Sequence, residues 1–201
     1  DRHRHALATL NFAAASAAGT GVSAAIGAAL RRKDVRALVD AFAARGLLRV
    51  EDQVLRFADE GARFFANGGW LEQYVVALAQ SLKAGHPAIQ DVGRGLEVVR
   101  GGGVANELDV AVLARNRLHV IECKTRLFNE ETRQGGVGAE ALYKLETLLN
   151  RLGGLQARGL LVSFQPLHPR ILDRARDYRI AVCAGAELAH LRERLRRWLG
   201  A

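Results

Sequence analysis

The segment that decides the fold lies at residues 118–124 and reads LHVIECK. Side chains alternate between the two faces of a β-strand, so Glu122 and Lys124 share one face while Ile121 and Cys123 share the other. A carboxylate and an ammonium group at the end of an otherwise apolar strand cost desolvation free energy unless a specific interaction compensates for it. The segment therefore predicts a strand with functional or ion-paired groups at its carboxyl end.

The preceding segment 106–113, NELDVAVL, has the same arrangement. Glu107 and Asp109 share one face, and apolar residues occupy the other. If the two strands pair across a turn at 115–116, Asp109 comes close to Glu122. Carboxylates that close repel each other unless a divalent cation binds between them. The two strands predict a metal site, and the alternative is a set of ordinary ion pairs on a half-exposed sheet.

Helices and strands surround these two segments in a regular order. The predicted elements are helix 70–82, strands 96–100, 107–113 and 118–125, helix 142–152, strand 160–164, helix 169–178, strand 180–183 and helix 186–199. An antiparallel meander that continues into β-α-β crossovers indicates an α/β fold with one mixed central sheet flanked by helices. This domain is assigned to residues 68–201.

The first third of the chain predicts a second, smaller domain at residues 1–67. Helical patterns at 7–18 and 35–42 are followed by two short apolar runs, 47–50 and 54–57, whose spacing suits a hairpin. Asp59 is a suitable N-cap for a short helix that follows. Helices followed by a small hairpin form the outline of a winged-helix-like domain. Such a domain either binds DNA or serves as a spacer that packs one domain against another.

Composition excludes several classes of protein. The chain has 201 residues, of which 49% are hydrophobic and 25% charged, a balance that is typical of a folded globular protein and excludes intrinsic disorder. No run of about 18 apolar residues is present, so no membrane span is expected. The net charge of +8 favours a polyanionic partner such as nucleic acid, although a solvated arginine-rich surface has the same charge. The last helix, with Arg192, Arg194, Arg196 and Arg197, is open to the same two interpretations.

The two cysteines and the N-terminus lead to expectations about the cellular compartment and about the length of the gene product. Cys123 and Cys183 lie in apolar, strand-like runs and are expected to be buried thiols. No signal peptide is visible, so a cytoplasmic protein is expected. The chain contains no Met and starts with Asp1, so we expect a further domain upstream of these residues.

The spacing of Asp109, a short hairpin and Glu122-x-Lys124 resembles the signature of the PD-(D/E)xK, or restriction-endonuclease-like, nuclease superfamily. Leu108 stands where the superfamily name has Pro, a position that varies within the superfamily. Further segments are similar to those of one subgroup: GGWLE at 68–72, NELDV at 106–110, IECKT at 121–125, YKL at 143–145 and LLVS at 160–163. That subgroup is the CRISPR-associated ancillary nucleases, in which a cyclic-oligoadenylate-sensing CARF domain precedes a winged-helix-like domain and a nuclease domain.

The resemblance implies a role for each residue of the signature. Asp109 and Glu122 would bind Mg²⁺ or Mn²⁺ through hard oxygen atoms, with the backbone carbonyl of Cys123 as a further ligand. Glu72, on the preceding helix, would help to hold the metal or its water, unless it is a solvated helix glutamate. Lys124 would orient the attacking water or stabilise charge on the phosphate.

Other residues have weaker assignments. Glu107 is expected to support the metal ligands or to act as an additional one. Tyr143 and Lys144 are expected to contact nucleic acid, Lys144 at the scissile phosphate, although a solvated lysine would fit equally well. The glycines at 101–103 are expected to form a flexible hairpin loop, and those at 135–138 a substrate-gating loop or a mobile connection.

Together these features predict a metal-dependent nuclease acting on DNA or RNA. The resemblance implies a CRISPR effector that is switched on by cyclic oligoadenylate bound to an upstream sensor domain and that forms a homodimer largely through that domain. Residues 1–201 alone are therefore expected to be a monomer or a weak dimer and not to respond to that ligand. A stand-alone restriction or repair endonuclease of the same fold is one alternative. A non-catalytic winged-helix DNA-binding module is the other, and the intact set Asp109, Glu122 and Lys124 argues against it.

Overall fold

The computed structural model describes residues 3–99, 105–125, 137–153 and 156–201. The described chain divides into two compact units. One unit contains the described residues up to Trp70 together with Thr125, and the other contains the remaining described residues. The loop glycines at 101–103 and at 135–136 lie outside the described residues.

The first unit consists of short helices followed by a two-stranded hairpin. Its elements are α1 (Arg4–Ser16), α2 (Gly27–Leu30), α3 (Lys33–Ala43), β1 (Leu48–Glu51), β2 (Val54–Phe57), α4 (Glu60–Phe64) and a π-helical turn (Phe65–Gly69). Strands β1 and β2 pair antiparallel. The carboxylate of Asp59 accepts a hydrogen bond of 2.7 Å from the amide of Ala62, which confirms the predicted N-cap of α4. Leu10, Val35 and Leu55 lie in the buried core of this unit.

The second unit contains the longer helices and one sheet. Its elements are α5 (Trp70–Lys83), β3 (Ile89–Val99), β4 (Ala105–Ala114), β5 (Arg117–Lys124), α6 (Val137–Leu152), β6 (Arg158–Ser163), α7 (Pro169–Asp177), β7 (Ala181–Ala184), a 3₁₀ helix (Gly185–His190) and α8 (Leu191–Leu199). Among the described residues, five strands form a sheet in the order β3-β4-β5-β6-β7. Strands β3, β4 and β5 pair antiparallel, while β6 and β7 extend the sheet in parallel from β5. The predicted α/β fold with a mixed sheet is confirmed.

A two-residue turn fixes the register of the hairpin at the centre of this sheet. Arg115 and Asn116 both have positive φ angles, 50° and 57°, as type I′ turns require. Ala114 pairs with Arg117, and the register continues to the pair Val110 and Ile121. Asp109 and Glu122 come directly after that last pair, and the same register, continued by one residue, would set them opposite each other. Since opposite residues in an antiparallel pair project from the same face, the turn aligns these two carboxylates.

Three predicted elements begin five or more residues from the observed position: β3, α6, which starts at Val137 and not at 142, and the last helix. Strand β3 was expected at 96–100 but begins at Ile89, seven residues earlier than predicted. It is an edge strand with Gly93, Gly95 and mostly exposed side chains, so it lacks the apolar alternation of a half-buried strand. The helix expected at 186–199 is a 3₁₀ helix up to His190, followed by α8.

The helices of the second unit bury apolar stripes. Leu142 and Leu145 of α6 belong to one buried cluster together with Val120 and Leu161 of the sheet.

Cys123 and Cys183 are buried and unbridged, as predicted. Within the described ranges, no helix has the length and hydrophobicity that crossing a membrane would require.

Candidate active site

The carboxyl end of β5 carries a buried carboxylate between two ammonium groups. The side chain of Glu122 is 1% exposed. Its Oε1 accepts a hydrogen bond of 2.6 Å from Nζ of Lys124. Nζ of Lys144, on α6, lies 3.4 Å from both carboxylate oxygens. The ion pair that the sequence suggested therefore exists, but it is buried, and a buried carboxylate is stable only when it is compensated in this way.

Asp109 of β4 is the carboxylate nearest to this group along the hairpin. Its Oδ2 accepts a hydrogen bond of 2.7 Å from the backbone amide of Cys123. Burial and repulsion by Glu122 raise the pKa of Asp109 to about 6, against the opposing effects of that hydrogen bond and of Lys124. The ammonium groups of Lys124 and Lys144 lie beside Glu122. No ammonium or guanidinium group among the described residues lies as near to Asp109. The second carboxylate thus holds a proton more tightly than an ordinary aspartate.

Glu72, on the first turns of α5, belongs to the same electrostatic group. Burial raises the pKa of Glu72 to about 7, and repulsion by Asp109 and Glu107 adds to this shift. Arg94 and Lys124 lower the pKa but do not cancel the shift. The predicted alternative of a fully solvated helix glutamate does not describe this half-buried side chain.

Lys124 keeps its proton. Burial alone would lower the pKa of Lys124, but attraction by Glu122, the hydrogen bond to Glu122 and attraction by Asp109 outweigh it and raise the pKa. An ammonium group with a raised pKa can donate hydrogen bonds and stabilise negative charge, but it does not accept a proton at neutral pH.

The chemistry of these donors fits a hard divalent cation. Asp109, Glu122 and Glu72 offer carboxylate oxygens, the ligands that Mg²⁺ and Mn²⁺ prefer. The two raised carboxyl pKa values reflect burial and crowded negative charge, which a divalent cation would relieve. No group of three His, Cys, Asp or Glu side chains in the described part of the chain is already arranged around one metal position. The three carboxylates are therefore suitable ligands. To bind a metal ion, Glu122 would have to give up its contacts with the ammonium groups of Lys124 and Lys144.

The thiol of Cys123 is not a candidate ligand. Burial raises its pKa well above the ordinary range, and Asp109 and Glu72 add to the effect. A neutral thiol binds metals poorly because the thiolate is the ligand. Any contribution of this residue to a metal site would come from its backbone carbonyl.

The remaining predicted residues have different surroundings. Lys144 contacts Glu122, a contact that the sequence did not predict. The side chain of Tyr143 is 63% exposed, and its hydroxyl forms no hydrogen bond with the described residues. Glu107 is exposed and is close enough to Glu72 to raise its pKa.

Two residues of β3 also border the site and were missed from the sequence. Arg94 pairs with Val110 and Leu96 with Leu108, so Gly95 lies opposite Asp109. Gly95 has a φ of 59° and adds no side chain beside that carboxylate. Arg94 interacts favourably with Glu72. A strand prediction extended through the run GRGLE at 93–97 would have found both.

Comparison with known proteins identifies relatives of this chain. Residues 59–201 match the family described as the Card1-like endonuclease domain. The structure is similar to that of protein VC1899 from Vibrio cholerae, with 36% sequence identity, a TM-score of 0.84 and coverage of 98% of this chain and 51% of the other. It is also similar to Can2 from Sulfobacillus thermosulfidooxidans in complex with cyclic tetra-adenylate, with 30% identity, a TM-score of 0.77 and coverage of 98% and 52%. The chain thus spans about half the length of these two proteins. A search of curated proteins gives no significant match.

Proposed function

This chain belongs to the Card1-like endonuclease family, and we propose that it is a metal-dependent nuclease that hydrolyses phosphodiester bonds of DNA, RNA or both. The observation that carries the proposal is the group at the end of the β4–β5 hairpin. There Asp109 accepts a hydrogen bond from the amide of Cys123, the residue after Glu122, and Lys124 donates a hydrogen bond to the Glu122 carboxylate. Carboxylate oxygens that could bind a hard cation thus lie next to a protonated lysine.

Asp109, Glu122 and Glu72 would hold Mg²⁺ or Mn²⁺, with the carbonyl of Cys123 as a further ligand. The bound cation would supply two effects, a lowered pKa of its water and neutralisation of the phosphate charge. Because the pKa of Asp109 and Glu72 is raised to about 6 and 7, binding of the cation would release protons from these groups near neutral pH.

Lys124 would orient the attacking water and stabilise the charge that develops on the phosphate. Its raised pKa supports this role over that of a general base, which would require a neutral amine. If the Glu122 carboxylate bound a cation, Nζ of Lys124 would be free to donate hydrogen bonds to a phosphate oxygen or to water.

Three neighbouring residues complete the proposed site. Lys144, which contacts Glu122 from α6, and exposed Tyr143 beside it would contact the nucleic acid. Glu107 would support the cation from the edge of the site, since its charge already acts on Glu72.

The biological role that fits the relatives is that of a CRISPR-associated, cyclic-oligoadenylate-activated effector. The structure of Can2 is that of a complex with cyclic tetra-adenylate, and this chain covers 52% of Can2. We propose that a homodimer performs this role in the cytoplasm. Residues 1–67 would form a winged-helix-like domain, consistent with three helices followed by a hairpin, and residues 68–201 the nuclease domain.

The test is cleavage of labelled single- and double-stranded DNA and RNA with Mg²⁺, Mn²⁺ or EDTA. We expect cleavage of at least one substrate with a metal ion and none with EDTA. The matched control is Glu140→Gln, an exposed acidic residue on α6, which should cleave like the wild type. Equal cleavage in EDTA and in Mn²⁺ would overturn the metal-dependent mechanism.

A further inference from the structure

A basic cavity lies at the end of β5 that is opposite to Glu122 and Lys124. Its volume is about 430 Å³, within the range of small-molecule sites. Four arginines and a tryptophan contribute to its lining: Arg115, Arg117, Arg158, Arg197 and Trp198. The β4–β5 turn, the first residue of β6 and the end of α8 bring these side chains together.

The positive charge of this cavity is poorly compensated. None of the described residues that line the cavity is acidic. Arg117 and Arg158 are exposed and form no ion pair with the residues that the structure describes. Arg115 donates to the backbone carbonyl of Gly200, and Arg197 lies 3.3 Å from an exposed carboxylate of Glu193. Several guanidinium groups around one cavity without a carboxylate favour an anionic ligand.

An aromatic ring is held at the same place. Trp198 contacts the buried ring of His119 edge-on, with 4.9 Å between the ring centroids. Burial and the charges of Arg158 and Arg117 lower the pKa of His119, so its imidazole is neutral and does not add to the charge. Trp198 is half-buried and lines the cavity beside the arginines. Proteins that bind single strands stack bases on aromatic side chains in such positions.

A second cavity of about 400 Å³ adjoins the first and shares Arg197 and Trp198 with it. The arginine that it adds, Arg194, is paired with Glu187, with 2.6 Å between the guanidinium nitrogen and the carboxylate oxygen, so the uncompensated charge stays in the first cavity. The second cavity provides room for a ligand that extends past Trp198.

We propose that this arginine–tryptophan cavity binds a single-stranded segment of nucleic acid. Phosphate groups would lie on the guanidinium groups of Arg117 and Arg158, and a base would stack against Trp198. Arg is suited to this role because its planar guanidinium donates two parallel hydrogen bonds to a phosphate. The substrate class rests on the proposed nuclease function. The cavity lies about 23 Å from Lys124 along β5, at about 3.3 Å for each residue of a strand, so it would hold a part of the strand that is distant from the cleaved bond.

The test measures binding without cleavage. The intact chain is titrated in EDTA with a fluorescently labelled single-stranded oligonucleotide long enough to span both regions, and anisotropy is followed at several salt concentrations. The test variant is Arg117→Ala/Arg158→Ala. The matched control, Arg170→Ala/Arg174→Ala, removes two exposed arginines from α7 and so causes the same loss of net charge.

We expect the test variant to weaken binding at least about tenfold and to reduce the slope of log K against log salt by about 1.4, which is 0.7 for each lost contact with single-stranded phosphate. The control should change affinity less than about twofold. No change in the test variant, or an equal loss in both variants, would overturn the proposal, since the second result means that only net charge matters.

A second readout reports on the cavity itself. Trp198 is one of two tryptophans in the chain. Binding of the oligonucleotide should quench tryptophan fluorescence in the wild type, and Trp198→Phe should remove most of that quenching. Quenching that is unchanged in Trp198→Phe would contradict stacking at this site.

These outcomes are independent of the catalytic proposal. If the wild type cleaves no nucleic acid but Arg117→Ala/Arg158→Ala still weakens binding, the nuclease function fails and the binding site stands. If the wild type cleaves nucleic acid and the double variant binds like the wild type, only the binding site fails.

Discussion

Strand β5 has charged groups at both ends, but the two groups differ in burial and in the sign of their charges. At the Lys124 end, carboxylates and ammonium groups are buried together, and Glu122 is only 1% exposed. At the Arg117 end, guanidinium groups face a cavity that has no acidic residue in its described lining. One end thus combines opposite charges inside the protein, while the other leaves like charges at the surface.

This difference separates two tasks that a nuclease has to perform. Buried, crowded carboxylates have raised pKa values and a high demand for a cation, which suits chemistry at one phosphate. Exposed arginines retain their full charge toward solvent and bind phosphate backbones with little dependence on sequence. Substitutions at the Lys124 end should therefore affect the rate of cleavage most, and substitutions at the Arg117 end should affect binding of the strand.

The largest effect is expected for the carboxylates. Asp109→Ala or Glu122→Ala should reduce cleavage at least about 10³-fold, because loss of the cation removes several kcal/mol of charge stabilisation and each 1.36 kcal/mol is a factor of ten. Circular dichroism should show that both variants are folded. Wild-type cleavage by either variant in Mn²⁺ would contradict the assignment, and Glu140→Gln serves as the control for an exposed acid.

The next effect is expected for Lys124. Lys124→Ala should slow cleavage at least about 10²-fold, the usual cost of a lost catalytic contact. Metal affinity measured by calorimetry should change much less, since Lys144 still lies near Glu122 in the absence of metal. Lys83→Ala, which removes an exposed ion pair with Asp91, is the matched control. Metal binding that disappears while the rate barely changes would assign Lys124 to the metal site instead.

A smaller effect is expected on stability. The pKa of Asp109 is raised from 3.8 to about 6 in the folded protein. Between these values the folded state holds a proton that the unfolded state has lost, so stability falls as pH rises through this window. Asp109→Asn does not titrate and avoids this loss. At pH 8 in EDTA it should unfold with a free energy about 2 kcal/mol higher than the wild type, from about 1.4 kcal/mol for each pKa unit after a discount for partial exposure.

Urea unfolding at pH 4.5 and pH 8 measures this difference, which should be small at the lower pH. Exposed Asp177 of α7 provides the control variant Asp177→Asn. An Asp109→Asn protein that is less stable than the wild type at pH 8 would mean that the hydrogen bond from Cys123 matters more than crowding of the carboxylates.

The two ends of β5 also differ in how far the sequence predicts them. The carboxylate end depends on strand alternation and a two-residue turn, both of which are local, so Asp109, Glu122 and Lys124 could be placed together from the sequence. The approach of Lys144 could not be predicted, because it depends on how α6 packs on the sheet. Burial, the largest cause of the raised pKa values of Asp109 and Glu72, depends on the same packing.

The arginine cavity could not be predicted because its residues meet through long-range pairing. His119 pairs with Arg158 where β5 and β6 run parallel, and the two residues are separated by an intervening helix. A parallel register is not set by any turn, so no local pattern indicates it. Edge strand β3 was too short in the prediction for a related reason, since pairing with β4 holds it in place despite its exposed side chains and glycines.

The smallest effect is expected for the dependence of cleavage on substrate length. Arg117→Ala/Arg158→Ala should raise the KM for a long single-stranded substrate about tenfold with little change in kcat, because a distant contact contributes uniform binding to ground state and transition state alike. For a substrate of three or four nucleotides, too short to span about 23 Å from Lys124 at about 3.3 Å per strand residue, the variant and the wild type should have the same KM. Arg170→Ala/Arg174→Ala should behave like the wild type with both substrates. A loss in kcat that is equal for both lengths would show that the two ends of β5 act as one site, and the contrast between them would then have no functional meaning.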